Sequence, residues 1–445
     1  MLVLGLAACG NSTSDSTSST TAGSTKTTVP TGGGEAHRNE KVSLSGVPGV
    51  TDDAISYDVV ATKTGNPLGT CILDCYVEGI KAYFAFRNSQ GGIYGRDLKI
   101  NKVIDDELGQ NQARSLDVVS ANDAFGNFQA TLLASGWGDL DKAGIPTYVW
   151  GINGADSANR THNFPSTIQR CASCPRPIYP YAAEKAGATK AAAIGYGTSE
   201  NSKVCTNTIA ESYDVYEKES GVKGVYTNDH LDFGLPNGIG PEVTAMKKAG
   251  VQFIATCIDL NGMKTLAQEL DRQGMNDVVL FHQNTYDPDF VAQAGKLFEG
   301  DDVAVGFRPF EASAKGTAME DFLTWMDKQG STPTELAMTG WLNASLAFDG
   351  LLATGPKFDR QKVTDATNSF TDYTAGGLTE PTDWTTGHTT YTKDAPDSER
   401  SPTDCAALVK VKDAKFVAFD DPAKPWLCWK GGKKVDFEPT PTNFS

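Results

Sequence analysis

The sequence predicts an α/β protein built from two doubly wound halves. Three observations predict it. Residues 56–106 read strand, loop, helix, Gly-rich turn, strand, a βαβ unit that requires a parallel sheet. Residues 111–154 extend that unit to β-α-β-α-β-α-β. After a polar, proline-rich stretch at 156–177, a second alternating series runs to residue 305. The halves share layout only, since no repeat of fixed period joins them.

Each element has a local cause. Tyr57, Val59 and Ala61 alternate with their neighbours, giving a short strand. Leu73, Tyr76, Val77, Ile80, Tyr83 and Phe84 recur at helical spacing, and Asn88-Ser89-Gln90-Gly91-Gly92 stops that helix. Leu98, Ile100, Val103 and Ile104 give the next strand. Ala113, Leu116 and Val119 mark a short helix over 111–120. Residues 124–131 read as a strand, 132–143 as a Gly-interrupted helical region, and 145–150 as another strand. In the second half, helices are expected over 179–187, 202–220, 239–250 and 263–274. Strands are expected over 191–196, 222–226, 251–257, 278–281 and 303–305. Asp287-Pro288 starts a helix, two more follow over 317–329 and 334–354, and another runs from 358 to about 370. The remainder is irregular and β-rich.

The chain has 445 residues, too many for one ordinary core. Lysine and arginine total 39 against 55 acids, a net charge of −16. That balance argues against nucleic acid, which needs basic patches. No run of about 18 apolar residues is present to span a membrane as a helix.

Leu6-Ala7-Ala8-Cys9 has the form of a bacterial lipobox, in which cleavage before the cysteine frees its thiol for lipid attachment. Residues 1–8 are therefore read as the remnant of a signal peptide, although none of them is basic. Residues 11–34 are rich in Ser, Thr and Gly and cannot bury enough surface to fold, so 9–50 is read as a lipidated tether. The other eight cysteines form an even set, as expected in an oxidising compartment. Sequence order suggests Cys71 with Cys75, Cys171 with Cys174, Cys205 with Cys257 and Cys405 with Cys428, though other pairings stay open. An i, i+4 pair suits a regular helix poorly, so Cys71 has to precede the first full turn.

Catalytic and metal motifs are sparse. Cys171-Ala172-Ser173-Cys174 sits in a Pro-rich crossing, and not at a helix N-terminus after a strand where a redox thiolate belongs, so it reads as a structural disulfide. The five histidines form no HExxH, no serine occupies a GxSxG elbow, and no second CxxC completes a zinc site. The loop 65–69 lacks the GKS/T or GxGxxG of a phosphate cradle. Asp105-Asp106-Glu107 reads as a solvated strand end. Trp137 and Trp150 lie near strand ends, where an aromatic can wall a pocket or pack the core. No metal, no cofactor and no enzymatic activity are expected.

The order of several short segments is more specific. Glu78-Gly79-Ile80-Lys81-Ala82, Asn88 to Arg96 with its Gly91-Gly92-Ile93-Tyr94-Gly95 core, Asp105-Asp106, Ala143-Gly144-Ile145-Pro146, Tyr196-Gly197, Lys248-Ala249-Gly250 and 270–274 follow one another at family spacing. Over residues 57–355 the chain resembles type I periplasmic binding proteins, most closely the branched-chain amino-acid-binding family of ABC importers, in the form of an actinobacterial-type lipoprotein. The resemblance implies two doubly wound α/β lobes joined by three crossovers, near 156–174, 306–309 and 355–358, which close on a ligand. Lobe 1 would comprise 55–160 and 307–355, and lobe 2 residues 161–306 and 356–435.

Family binding positions carry over loop by loop. In lobe 1 they fall on Gly69, Thr70 and Ile72, with Cys71 between them; on Gln129, Ala130 and Thr131, as hydroxyl and N–H groups at a helix start for an anion; and on Trp150, Gly151 and Asn153. In lobe 2 they fall on Tyr196 and Glu200, on Asp259 and Asn261, and on Gln283 and Tyr286. One departure is plain. The family's amino-acid binders hold the ligand ammonium with an acid after the 278–281 strand, and here that place is His282-Gln283-Asn284. Ala130 likewise stands where the family has serine. The implied function is that of an extracytoplasmic, lipid-anchored monomer that captures a small polar solute, an amino acid, amide or small organic acid, and delivers it to ABC permease subunits. A sensor of the same fold and a secreted hydrolase are the alternatives.

Overall fold

A computed structural model describes residues 33–151, 154–166, 171, 173–283, 285–389 and 404–444. Cys9, the tether up to residue 32 and Asn153 lie outside these residues. Residues 33–50, expected to belong to the tether, instead pack on the first lobe: Arg96 donates to the carbonyl of Val42 at 2.9 Å, and the N–H of Tyr94 donates to that of Arg38 at 2.7 Å.

The first sheet is five-stranded and parallel, in the order β2-β1-β3-β4-β5. Its elements are β1 (Ala54–Ala61), α1 (Leu73–Ser89), β2 (Asp97–Asp105), α2 (Asn111–Ala121), β3 (Gly126–Thr131), α3 (Trp137–Lys142), β4 (Thr147–Gly151) and β5 (Asn163–Pro165). The chain then passes to α4 (Ile178–Lys185), β6 (Lys190–Tyr196), α5 (Glu200–Val215), α6 (Glu217–Ser220), β7 (Lys223–Leu231), α7 (Gly240–Ala249), β8 (Phe253–Cys257), α8 (Leu260–Arg272), β9 (Val279–His282), α9 (Pro288–Ala294) and β10 (Asp302–Val305). Strands β6 to β10 form the parallel core of a second, nine-stranded sheet.

Helices α10 (Met319–Gln329) and α11 (Glu335–Thr354) return to the first sheet and pack on α1. Helix α11 is mostly apolar, with Asn343, Ser345 and Asp349 among its buried polar residues, and is buried along its length, as a central helix must be; Thr334 caps it by accepting from the N–H of Ala337. Two glycines let α1 and α11 touch backbone to backbone. A Cβ on Gly79 would lie 1.8 Å from the carbonyl oxygen of Ala337, and one on Gly340 would lie 2.2 Å from that of Tyr76.

The chain crosses first between β5 and α4 and again between β10 and α10, near the expected positions. The third crossing differs. Helix α12 (Arg360–Thr367) still packs on α11, and Arg360 donates to the carbonyl oxygens of Phe125 at 2.9 Å and Ala124 at 2.5 Å. Residues 356–389 thus stay with the first lobe, against the expected boundary at 356. The second sheet is rejoined only by β11 (Asp404–Lys412), β12 (Lys415–Ala418), β13 (Trp426–Lys430) and β14 (Lys433–Val435), an antiparallel extension beyond β10. The amphipathic character of α12 gave its type, whereas its address depends on the long-range Arg360 contacts. The tail then returns to the first lobe, where Thr374 bonds Thr440 and Thr442 and Phe370 meets Phe444.

All four suggested disulfides are present. Cys71 precedes the first residue of α1, as the geometry of an i, i+4 pair demands. Cys405 and Cys428 face each other in register between β11 and β13.

Candidate functional site

The C-terminal ends of parallel strands are where α/β sheets bind ligands. In the first lobe the segment after β1 is held from both sides. Asp105 accepts from the N–H groups of Lys63 and Thr64, at 3.0 and 3.2 Å through the same oxygen. Its strand-end carboxylate therefore pins this loop and is not merely solvated. Asn66 donates to the carbonyl of Thr70 and accepts from the N–H of Leu68, and the Cys71–Cys75 bridge ties the end of the loop to α1. Gly69, with φ +78°, stands exposed at the tip.

The second lobe answers it from the start of α8. Asp259 caps that helix by accepting from the N–H of Gly262 at 2.8 Å, and its other oxygen accepts from the Tyr196 hydroxyl at 2.9 Å. Burial, and then the Asp259 charge, push the Tyr196 phenol above its ordinary value. Gly262 is required there, because a Cβ would lie 2.2 Å from the Tyr196 oxygen. The exposed Asn261 is thereby aimed across the gap. A Cβ built on Gly69 would sit 3.5 Å from the Asn261 amide nitrogen. The two lobes therefore meet lip to lip, with Gly69 on one side and the Asn261 amide on the other.

Two large apolar side chains stand exposed just past strand ends. Leu133 follows β3 and is 52% exposed; Phe233 follows β7, is 47% exposed and lies against Tyr196, ring centres 5.0 Å apart. Neither was singled out by the sequence, in which an apolar residue beside a strand reads as core. Glu200 opens α5, exposed, 3.7 Å from Lys203, while Ser199 caps that helix.

The other expected positions are engaged elsewhere. Gln129 is fully buried; its oxygen accepts from Asn111 and the Trp137 indole, and its nitrogen donates to Ser115. This network ties α2, β3 and α3 together. Ala130 and Thr131 are strand residues in register with Trp150 and Gly151, and α3 starts only at Trp137. They are not at a helix start, and the strand-to-helix loop is 132–136. The Thr131 hydroxyl is nevertheless buried, with no partner among the described residues. Trp150 is half-buried against the core, and Gly151 leaves room for the Trp137 ring, 2.7 Å from where a Cβ would be. Ile72 is buried.

Gln283 turns inward, with its nitrogen 2.9 Å from Cys205 Sγ and its oxygen accepting from the Tyr179 hydroxyl. Tyr286 is buried at the crossover; its hydroxyl donates to Glu311 at 2.7 Å and accepts from the N–H of Phe310, and its ring stacks on Phe310. His282 is buried against Asp301 at 2.9 Å. All three side chains are engaged by protein groups in this structure. Among the described residues no group of His, Cys, Asp and Glu could hold a metal, and no helix is long and apolar enough to cross a membrane.

A family model described as periplasmic binding protein matches residues 61–415. A comparison with curated proteins finds no match. Solved structures share the fold at low identity. The branched-chain amino acid transporter substrate binding protein of Streptococcus pneumoniae, in complex with isoleucine, is 18% identical, with a TM-score of 0.62, over 82% of this chain and 98% of that one. A branched chain amino acid ABC transporter protein of Thermus thermophilus with bound valine is 15% identical, TM-score 0.60, over 85% and 97%. The fatty acid ABC transporter substrate-binding protein of Thermomonospora curvata is 13% identical, TM-score 0.59, over 91% and 97%.

Proposed function

The chain belongs to the periplasmic binding protein family, and we propose that it is an extracytoplasmic lipoprotein that captures a small polar solute between its lobes and delivers it to an ABC importer. The observation that carries the reading is the cross-lobe approach of Gly69 to Asn261 at the C-terminal ends of parallel strands in the two sheets. A ligand held there is touched by both lobes, so its binding energy favours the closed form that a permease can recognise. The lip chemistry suits an amino acid, an amide or a small organic acid. Amide and hydroxyl groups are supplied by Asn261 and Thr70, carboxylates by Glu200 and the Asp259–Tyr196 pair, and an apolar rim by Leu133 and Phe233. A lipid at Cys9 and a tether up to residue 32 complete the reading from sequence.

A thermal-shift screen against amino acids, amides, short organic acids and fatty acids tests it, since a ligand bound only by the folded form raises the melting temperature by mass action. A hit is expected to bind one per chain without turnover, and Asn261→Ala is expected to weaken it at least tenfold. Conversion of the bound compound, or a hit indifferent to Asn261→Ala, would overturn the reading.

A further inference from the structure

A second cavity, of about 240 Å³, opens on the far side of the first lobe between α1, α10 and α11. It lies away from the lips of Gly69 and Asn261. Trp341, Phe86 and Phe444 wall it, and Arg87, Asp321 and Asp349 face into it.

The charges in this cavity do not cancel. Arg87 is held by aromatic groups: its guanidinium lies 4.3 Å from the centre of the Phe348 ring and 4.9 Å from that of Phe86, and its Nε donates to the Tyr83 hydroxyl at 2.9 Å. Among the described residues it forms no ion pair with Asp321 or Asp349, although both feel its charge. Glu35, at the rim, is paired with Arg38 at 3.7 Å. Asp349 is buried, and one of its oxygens accepts from the Tyr373 hydroxyl at 2.9 Å. Two carboxylates thus face a space whose one inward cation among the described residues, Arg87, lies against ring faces and forms an ion pair with neither. Aromatic walls around unpaired carboxylates recognise an organic ammonium, through charge on one side and ring quadrupoles on the other.

We propose that this cavity is a second binding site, for a small organic cation that joins a primary ammonium to an apolar or aromatic body. The site stands independently of the solute held between the lobes. Burial pushes the Asp349 carboxyl up to about 6, so binding is expected to weaken as pH falls through that value.

Benzylamine is the probe, with benzyl alcohol and benzoate as neutral and anionic shapes of the same size, titrated calorimetrically into the full chain. One benzylamine is expected to bind per chain, with benzyl alcohol and benzoate at least tenfold weaker. Asp349→Asn and Asp321→Asn should each lower benzylamine affinity at least fivefold. Asp321→Asn lies toward the surface of α10, so it keeps the test valid if Asp349→Asn fails to fold. Equal binding of amine and alcohol, no binding of the amine, or full affinity in folded Asp321→Asn and Asp349→Asn would overturn the proposal. Displacement of benzylamine by an interlobe ligand would also overturn it, by placing the amine between the lobes.

Discussion

The Cys205–Cys257 bridge joins the first turns of α5 to the end of β8, and its removal is the sharpest test of what holds the second lobe together. It closes 52 residues of chain, whereas Cys171–Cys174 closes 3. If a disulfide acts by restricting the unfolded chain, the long loop contributes about 4 kcal/mol and the short one about 1.5 kcal/mol. The paired variant Cys205→Ser/Cys257→Ser should therefore lose about 2.5 kcal/mol more than Cys171→Ser/Cys174→Ser. Urea unfolding of the oxidised proteins, followed by circular dichroism, reads the difference as stability extrapolated to water, with a steeper slope where the 52-residue loop has been opened. Equal losses in the two variants, or a larger loss from the short bridge, would refute the loop-length argument.

Other perturbations address separate parts of the molecule. Burial, and then the charge of Asp287, push the Glu335 carboxyl up to about 7. A carboxyl raised in the folded state favours folding below its unfolded value and loses that advantage as pH rises through about 7. Melting temperature should therefore fall between pH 5 and 8, and Glu335→Gln should flatten that fall; an unchanged slope would refute it. Gly340→Ala drives a methyl against the Tyr76 carbonyl and should cost at least about 2 kcal/mol in thermal unfolding. Thr131→Val removes a buried hydroxyl that has no partner among the described residues. The folded protein should lose no stability, while the affinity of any interlobe ligand should fall if Thr131 is its anchor. Unchanged affinity would dismiss Thr131 from the site.

The strand and helix order was legible because it rests on local periodicity, and α1, α8 and α11 each carry their apolar pattern within one segment. Positions at strand ends were legible less evenly. Gly69 and Asn261 could be placed from loop order, because exposed loop tips have few competing partners. Gln129, Gln283 and Tyr286 could not, because their engagement by Trp137, Cys205 and Glu311 depends on contacts far apart in sequence. The helix after β3 was read too long for a similar reason. Glycines at 136 and 138 weaken its start, and the loop before it is held from outside, by Asn111 on the N–H of Gly136 and Thr62 on that of Leu132. The return of α12 and the tail to the first lobe leaves no signature in either segment alone.

That return places the two ends of the described chain side by side. The N–H of Gly34 donates to the carbonyl of Leu352 near the end of α11, and the N–H of Glu35 donates to that of Phe444. Force arriving through the N-terminal segment is thus shared with the C-terminal tail and enters the molecule at the first lobe. An anchored molecule would hang by that lobe as a fixed stator, with the second lobe as its rotor, and a tug on the leash would not pry open the jaw.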